Sequence, residues 1–335
     1  MPKLSNSITD IDGILVGQEQ DMTALTGCTV IIYPDGAMGG VDQRGGAPGT
    51  RETDLLRPMH MVEKVHAILL AGGSAFGLDA ASGVMKFLEE KKIGFNTGVA
   101  RVPIVPAAVI FDLGLGRADI RPTAEMGYQA CLSATHEAPK QGNFGAGAGA
   151  SVGKIFGIGQ AMKSGIGTAC IELGGNLRVA AMMVVNAFGD VIDSKSSKII
   201  AGARTLQKGP LKIGSENYFA NSLETMKSFV GKAVMKVANK QNTVIGVVVT
   251  NAALTKDESN KVAQMAHNGL ARTIRPAHTM LDGDTIFVLA TGKHHADVSL
   301  IGAYSAEVVA QAIINAVLFA GPAGGLPSSQ SKEKI

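Results

Sequence analysis

The sequence predicts a layered α/β protein. Short β-branched runs alternate with longer helical patterns, and several runs are apolar at every position, as strands covered on both faces are. The last long helical pattern is apolar almost all round, so it too is buried. Strands buried beneath apolar helices fit an α/β/β/α sandwich or one sheet covered on both sides, and periodicity does not choose between them.

In chain order, residues 28–33 read as a strand closed by the turn Pro34-Asp35-Gly36. Residues 67–70 read as a buried strand, followed by Gly72-Gly73-Ser74 and a helix over 78–91. That helix carries Ala81, Val84, Met85 and Leu88 on one face. Residues 179–185, 243–249 and 285–290 are further strands of the buried kind. Thr255-Lys256-Asp257-Glu258 fits a capping box, with Val262, Met265, Ala266 and Leu270 as the apolar stripe of the helix it opens. Ser305-Ala306-Glu307 opens a second helix running to about residue 319. Residues 321–335 read as a disordered tail after a single domain over 1–320. Residues 208–240 hold six lysines against two acids and read as a solvated excursion before the strand at 243.

Composition sets the outer limits. Of 335 residues, 46% are hydrophobic, which is ample for a large core and excludes intrinsic disorder. Thirty-one basic against 28 acidic side chains leave a net charge of +3, no electrostatic footprint for nucleic acid. Cys28, Cys131 and Cys170 are odd in number and far apart, which fits a reducing compartment rather than a disulfide framework or a zinc site. The start of the chain is polar, and the apolar run 102–111 is short and broken by Pro103 and Pro106. The expectation is a soluble, cytoplasmic protein with no membrane partner.

Glycine makes up 42 of the residues, so nucleotide-binding patterns need testing. Gly145-Ala146-Gly147-Ala148-Gly149-Ala150 has alanine where the dinucleotide fingerprint needs its third glycine. Around Gly153-Lys154, Ala148 and Ile155 stand where a phosphate loop needs glycine and a hydroxyl. Gly72-Gly73-Ser74-Ala75-Phe76-Gly77 is one residue too long after Ser74 for a nucleophile elbow. Close backbone packing explains these glycines better. None of the seven histidines forms a helical i,i+4 metal pair, so no metal is expected, and no pattern marks one of them as a base.

A hydroxyl can be activated without histidine when a threonine stands at a chain terminus and uses its own α-amine as base. That amine has an ordinary pKa of about 7.7–8.0, close to working pH. Asn242-Thr243 is a natural junction for such cleavage, because an irregular basic segment ends there and a buried strand begins. Threonine opening a strand is otherwise ordinary.

The stretch Asn242-Thr243-Val244-Ile245-Gly246-Val247-Val248-Val249-Thr250-Asn251-Ala252 resembles the self-cleavage site of the DmpA/NylC family. This family contains L-aminopeptidase/D-esterases, β-aminopeptidases and nylon-oligomer (6-aminohexanoate oligomer) hydrolases. Ile8-Thr9-Asp10-Ile11-Asp12-Gly13 and Thr26-Gly27-Cys28-Thr29-Val30 are similar to its opening strands. Arg44-Gly45-Gly46-Ala47-Pro48-Gly49-Thr50-Arg51-Glu52, Gly72 to Leu78, Val102 to Ala107, Lys163 to Ala169 and Val185-Asn186-Ala187 resemble its further signatures in order.

The resemblance implies a four-layer αββα sandwich and a precursor that cuts itself between Asn242 and Thr243. The chains 1–242 and 243–335 would stay associated, and several such heterodimers would assemble. It makes Thr243 the nucleophile, Asn186 the oxyanion asparagine, Lys163 an active-site lysine, and Asp282 and Asp284 the carboxylate pair beside the nucleophile. The two aspartates, at i and i+2, would face one side of an extended segment. The family's oxyanion tyrosine has no firm counterpart, with Tyr128 a weak candidate. No metal or organic cofactor is implied.

A threonine nucleophile with an Asp-Gly-Asp pair resembles the nylon-oligomer branch, which cuts linear amides without strict need of a free N-terminus. The alternative within the family is a β-aminopeptidase or D-stereospecific aminopeptidase/esterase. From another class, the alternative is an uncleaved scaffold or binding protein. Without the resemblance, Asp282-Gly283-Asp284 is a turn, Asn186 a strand-end asparagine and Lys163 a solvated lysine.

Overall fold

Twelve elements position the site: β1 (Leu15–Asp21), β2 (Thr26–Gln43), β3 (Lys64–Ala71), α1 (Ala80–Glu90), β4 (Ala107–Val109), α2 (Ala124–Leu132), β5 (Ile166–Glu172), β6 (Arg178–Asn186), β7 (Thr243–Ala253), α3 (Lys256–Thr273), β8 (Thr285–His295) and α4 (Val298–Leu318). They come from a computed structural model that describes residues 5–208, 211–213, 218–228, 231–232 and 242–334. Much of the lysine-rich excursion expected over 208–240 lies outside the described residues.

The strands hydrogen-bond in the order β5-β6-β7-β8-β2-β3-β4, with β1 on the free edge of β2. The β7/β8 and β3/β4 pairs are parallel and the others antiparallel. Strand β2 joins two layers. Its residues 26–32 pair with β1, whereas residues 38–43 pair with β8. The Pro34-Asp35-Gly36 segment, expected to close the strand, instead sits inside β2 at a register shift, with Gly36 at φ +71°. A bulge of this kind bends a strand without ending its pairing.

Three apolar interfaces give the layer sequence α, β, β, α. Val262, Ala266 and Leu270 of α3, with Val309, Ile313 and Ala316 of α4, pack on Met183, Val185, Val244 and Val248. On the opposite face of the same strands, Met182, Val184, Ile245 and Val247 meet Ile31, Ile68, Leu70 and Ile110 of the second layer. The outer face of that layer, through Val30, Leu69 and Val109, packs on Val84 and Leu88 of α1 and Ala130 and Cys131 of α2. Alternate residues of each strand therefore serve different interfaces, which explains runs that are apolar throughout.

The capping box forms: Thr255 Oγ1 accepts from Glu258 N at 3.2 Å and Glu258 Oε2 accepts from Thr255 N at 2.8 Å. The following helix begins earlier than expected, because Asp297 caps Ser299 N and Leu300 N, leaving Ser305 buried mid-helix with its hydroxyl on Ile301 O. This helix has the length and hydropathy of a membrane span, and two-thirds of that stretch is buried inside the protein. Ile8–Asp10 forms a 3-10 turn rather than an opening strand.

The tail expectation also needs correcting. Leu326 and Ser328 are buried, Pro327 O accepts Lys163 N at 2.8 Å, and Gln330 Nε2 donates to Leu318 O at 3.0 Å. Glycine, proline and serine there supply turns that wrap the chain end against α4 and Lys163, so flexible composition does not mean a free segment.

Candidate active site

Thr243 is the first residue of β7 and lies directly opposite Asn186, the last of β6. Thr243 shares its face with Ile245 and Val247, and Asn186 shares its face with Met182 and Val184, so both side chains open into the space between the two sheets. Thr243 is 5% exposed and Asn186 is buried.

The bond before Thr243 threads a narrow frame. Asn242 N donates to Leu281 O at 3.3 Å, and Asn242 O accepts Gly283 N–H at 2.9 Å. The Thr243 hydroxyl donates to the same Asn242 oxygen. One carbonyl thus receives a backbone N–H on one side and the adjacent hydroxyl on the other. Gly283 is required at this distance, because a Cβ there would lie 2.9 Å from Thr243 Oγ1 and 2.6 Å from Ala47 O.

The Thr279–Asp284 loop is backed by the segment beginning Arg44-Gly45-Gly46-Ala47. Arg44 N donates to Asp284 O at 2.9 Å, Gly46 N to Thr279 O at 3.1 Å and Ala47 N to Asp282 O at 2.8 Å. A Cβ on Gly45 would come 2.2 Å from Asp282 O, so this motif is glycine-rich for backbone contact. Close approach also accounts for the stretch 145–150: a Cβ on Gly147 would lie 2.4 Å from Ile166 N, and one on Gly149 2.5 Å from the Asp112 Cβ.

Both aspartates are buried, and each accepts from different hydrogen-bond partners. Asp284 Oδ1 accepts Val244 N–H at 2.8 Å, while its Oδ2 accepts His278 N–H at 3.0 Å and pairs with His278 Nδ1 at 2.8 Å. Asp282 Oδ2 instead accepts Thr279 N–H and Oγ1–H, at 3.0 and 2.6 Å. Burial, and then the neighbouring Asp284 carboxylate, push Asp282 up to about 6.

Lys163 is fully buried, and its ammonium caps three backbone carbonyls, those of Gly147, Ala150 and Ser164. Burial lowers it to about 7, against the pull of Asp112. Among the described residues it has no hydrogen bond to Thr243. Tyr128 is not brought to the site: it lies on α2, edge-on to Phe87, with its hydroxyl on Glu90 at 2.7 Å.

Three participants escape sequence reasoning. Lys154, met there only in a failed phosphate-loop pattern, donates to Asn186 Oδ1 and, at 3.0 Å, to Asn186 O. His278 holds Asp284, and its ring lies edge-on to that of His267 at 4.8 Å. Burial pushes His267 down to about 4. Asp112, raised by burial, attracts the charges of Lys154 and Lys163 and accepts from Gly73 N and Thr26 Oγ1. No spacing announces these residues, since each arrives from a different strand end. The described residues hold no group of three His, Cys, Asp or Glu side chains fit to bind a metal ion.

The model of peptidase family S58 matches residues 6–330. An "uncharacterized aminopeptidase" of Mycobacterium leprae is 42% identical, covering 96% of this chain and 93% of its own. A 6-aminohexanoate-oligomer endohydrolase of Agromyces sp. is 31% identical, over 92% of this chain and 84% of that one. The structure of the L-aminopeptidase D-Ala-esterase/amidase from Ochrobactrum anthropi, described as a variant of the Ntn hydrolase fold, superposes with a TM-score of 0.68. It does so at 16% identity, over 94% of this chain and 86% of that chain. The chain belongs to peptidase family S58, has this fold, and is an amide hydrolase.

Proposed function

We propose that this member of peptidase family S58 is a self-processing amide hydrolase with Thr243 as nucleophile. The observation that carries the reading is the shared carbonyl: Asn242 O accepts Gly283 N–H at 2.9 Å while the Thr243 hydroxyl lies against it. Attack of Thr243 Oγ on the Asn242 carbonyl carbon forms an ester as the C–N bond breaks, and the hydroxyl proton passes to the departing nitrogen. The Gly283 N–H stabilises the oxygen as charge builds there. Water then hydrolyses the ester, leaving a carboxylate on Asn242 and a free Thr243 amine. The products are chains 1–242 and 243–335, held together by the β6/β7 and β2/β8 ladders.

In turnover the freed α-amine takes the Oγ proton, Thr243 forms an acyl-enzyme, and the proton goes on to the leaving amine. Asn186, opposite Thr243, supplies a side-chain N–H to the oxyanion. Asp284 holds the nucleophile's neighbour, Val244, in place. Substrates are linear amides, either 6-aminohexanoate oligomers or short peptides, and several cleaved heterodimers assemble in the cytoplasm.

Intact mass and N-terminal sequencing of wild type and Thr243→Ala test this reading. Two wild-type fragments, one beginning Thr-Val-Ile-Gly, with the variant left whole, are expected. A wild-type chain that stays whole and inactive overturns it in favour of an uncleaved binding protein. The 42% identity to a protein named an aminopeptidase favours a second reading, restricted to substrates with a free amine. Turnover of N-acetylated substrates separates the two: an endo-acting amidase keeps it and an aminopeptidase loses it.

A further inference from the structure

Two imidazoles meet beside Asp284, and what each nitrogen faces assigns its hydrogen. His278 Nδ1 lies 2.8 Å from Asp284 Oδ2, and His267 Nε2 lies 3.0 Å from Asp42 O. A carboxylate and a backbone carbonyl only accept, so these two nitrogens carry the ring hydrogens. The remaining nitrogens, His278 Nε2 and His267 Nδ1, are buried with no hydrogen-bond partner among the described residues. His267, pushed down to about 4 by burial, has no ring hydrogen to spare for its neighbour. It meets His278 edge-on at 4.8 Å, a packing contact that leaves the His278 hydrogen committed to Asp284.

The backbone delivers His278 at a cost. Its φ of +56° lies in the left-handed region, which side chains other than asparagine and aspartate seldom enter. In that conformation its own N–H also reaches Asp284 Oδ2, at 3.0 Å, so one residue donates twice to one oxygen. The frame closes through other elements. His267 comes from α3 and Asp42 from β2, and Arg44 N, two residues on, donates to Asp284 O at 2.9 Å. With Oδ2 fixed, Oδ1 is turned to Val244 N–H at 2.8 Å.

We propose that His278 is a positioning residue that acts through Asp284: its two donors stop the carboxylate from rotating, so that Oδ1 holds Val244 and keeps Thr243 aligned on the Asn242 bond. A nucleophile set by a single hydrogen bond from its neighbour is only as well placed as the acceptor of that bond. The side chain justifies the unfavourable backbone, since a glycine there removes the steric cost and gives up the Nδ1 donor. The proposal rests on the reading of Thr243 as nucleophile.

The test compares His278→Gly, His278→Asn and His278→Gln with wild type. Glycine relaxes the backbone and lacks the donor. Asparagine tolerates the left-handed region and places its amide near the Nδ1 position, whereas the glutamine amide lies one bond farther out. The probe is a 6-aminohexanoate oligomer or, if wild type prefers it, a short peptide amide. The readouts are precursor cleavage, kcat and KM of the cleaved fraction, thermal unfolding, and NMR hydrogen exchange of the Val244 amide in the Thr243→Ala background. For His278→Gly the expected result is a loss on the order of 10- to 100-fold in kcat and in cleavage rate, with KM within about threefold. Val244 exchange should quicken by roughly tenfold or more in the same variant. His278→Asn recovers most of the rate and the protection, and His278→Gln recovers little. His278→Gly at wild-type kcat and with Val244 still protected overturns the role of His278 and leaves Thr243 standing. Equal impairment of the glycine and asparagine variants, failure of both to fold, or a loss confined to KM also overturns it, by making the ring structural or substrate-binding. A wild type that neither cleaves nor turns over removes the Thr243 reading and this inference with it.

Discussion

Val244 N–H donates to Asp284 Oδ1 at 2.8 Å, tying the residue after Thr243 to the loop that leads into the neighbouring parallel strand. The same carboxylate holds His278 through its other oxygen. Asp284 therefore joins the strand that opens with Thr243 to the loop that supplies Gly283.

Replacing Asp284 tests that link. Asp284→Ala leaves Val244 N–H and His278 N–H unpaired in a buried place, at a cost of roughly 1–3 kcal/mol for each orphaned group. A fall in thermal stability and an accumulation of uncleaved precursor are expected. Asp284→Asn keeps an oxygen for Val244 and should retain more of both. Denaturing gels over time and melting curves read the two effects.

Gly283→Ala puts a Cβ 2.9 Å from Thr243 Oγ1 and 2.6 Å from Ala47 O. The hydroxyl must swing away or the loop must shift, and either change separates it from the Asn242 carbonyl. Precursor cleavage should slow at least tenfold while the chain still folds. Gly45→Ala meets only backbone, with Asp282 O at 2.2 Å, and should cost stability as well.

The raised pKa of Asp282 gives a stability signature in acid. The folded protein holds this proton up to about pH 6, whereas the unfolded chain releases it near the ordinary value of 3.8. Its contribution is therefore full below 3.8 and is lost as pH rises to about 6. Asp282→Asn has no such titration. The stability of wild type relative to this variant should fall between pH 4 and pH 6.5, measured by melts across the range.

Lys163 runs the other way. Its folded pKa of about 7 lies below the ordinary 10.5, so the unfolded chain binds the extra proton between those values. Wild-type stability should rise relative to Lys163→Met as pH climbs from 7 towards 10. The variant should also be less stable throughout, because the carbonyls of Gly147, Ala150 and Ser164 lose their cap. Equal stability at every pH would mean that the lysine is not enclosed as described.

The strands at 179–185, 243–249 and 285–290 and the capping box at Thr255 were legible because each is a local pattern in an unbroken stretch. Thr243, Asn186, Asp282 and Asp284 were legible through resemblance, and the structure gathers them at adjoining strand ends. Lys154, His278 and Asp112 were not, since a lone lysine or histidine has no period, and its partner lies 32 residues away for the Lys154–Asn186 bond. The Ser305 helix start failed because Asp297, eight residues earlier, makes the cap that a serine elsewhere only imitates.

The order of apolar runs by itself determined the elements and their burial on both faces, because alternation and helical spacing are properties of short windows. Whether those strands form one covered sheet or two stacked layers was decided by β2, whose bulge at Pro34-Asp35-Gly36 lets one strand serve both. The same folding decided which residues meet at the candidate site. Only where β6 ends opposite the start of β7 do Asn186 and Thr243 meet, and only there does Gly283 N–H reach the Asn242 carbonyl. These contacts join residues far apart in the chain, and their distances are set by the pairing of whole strands.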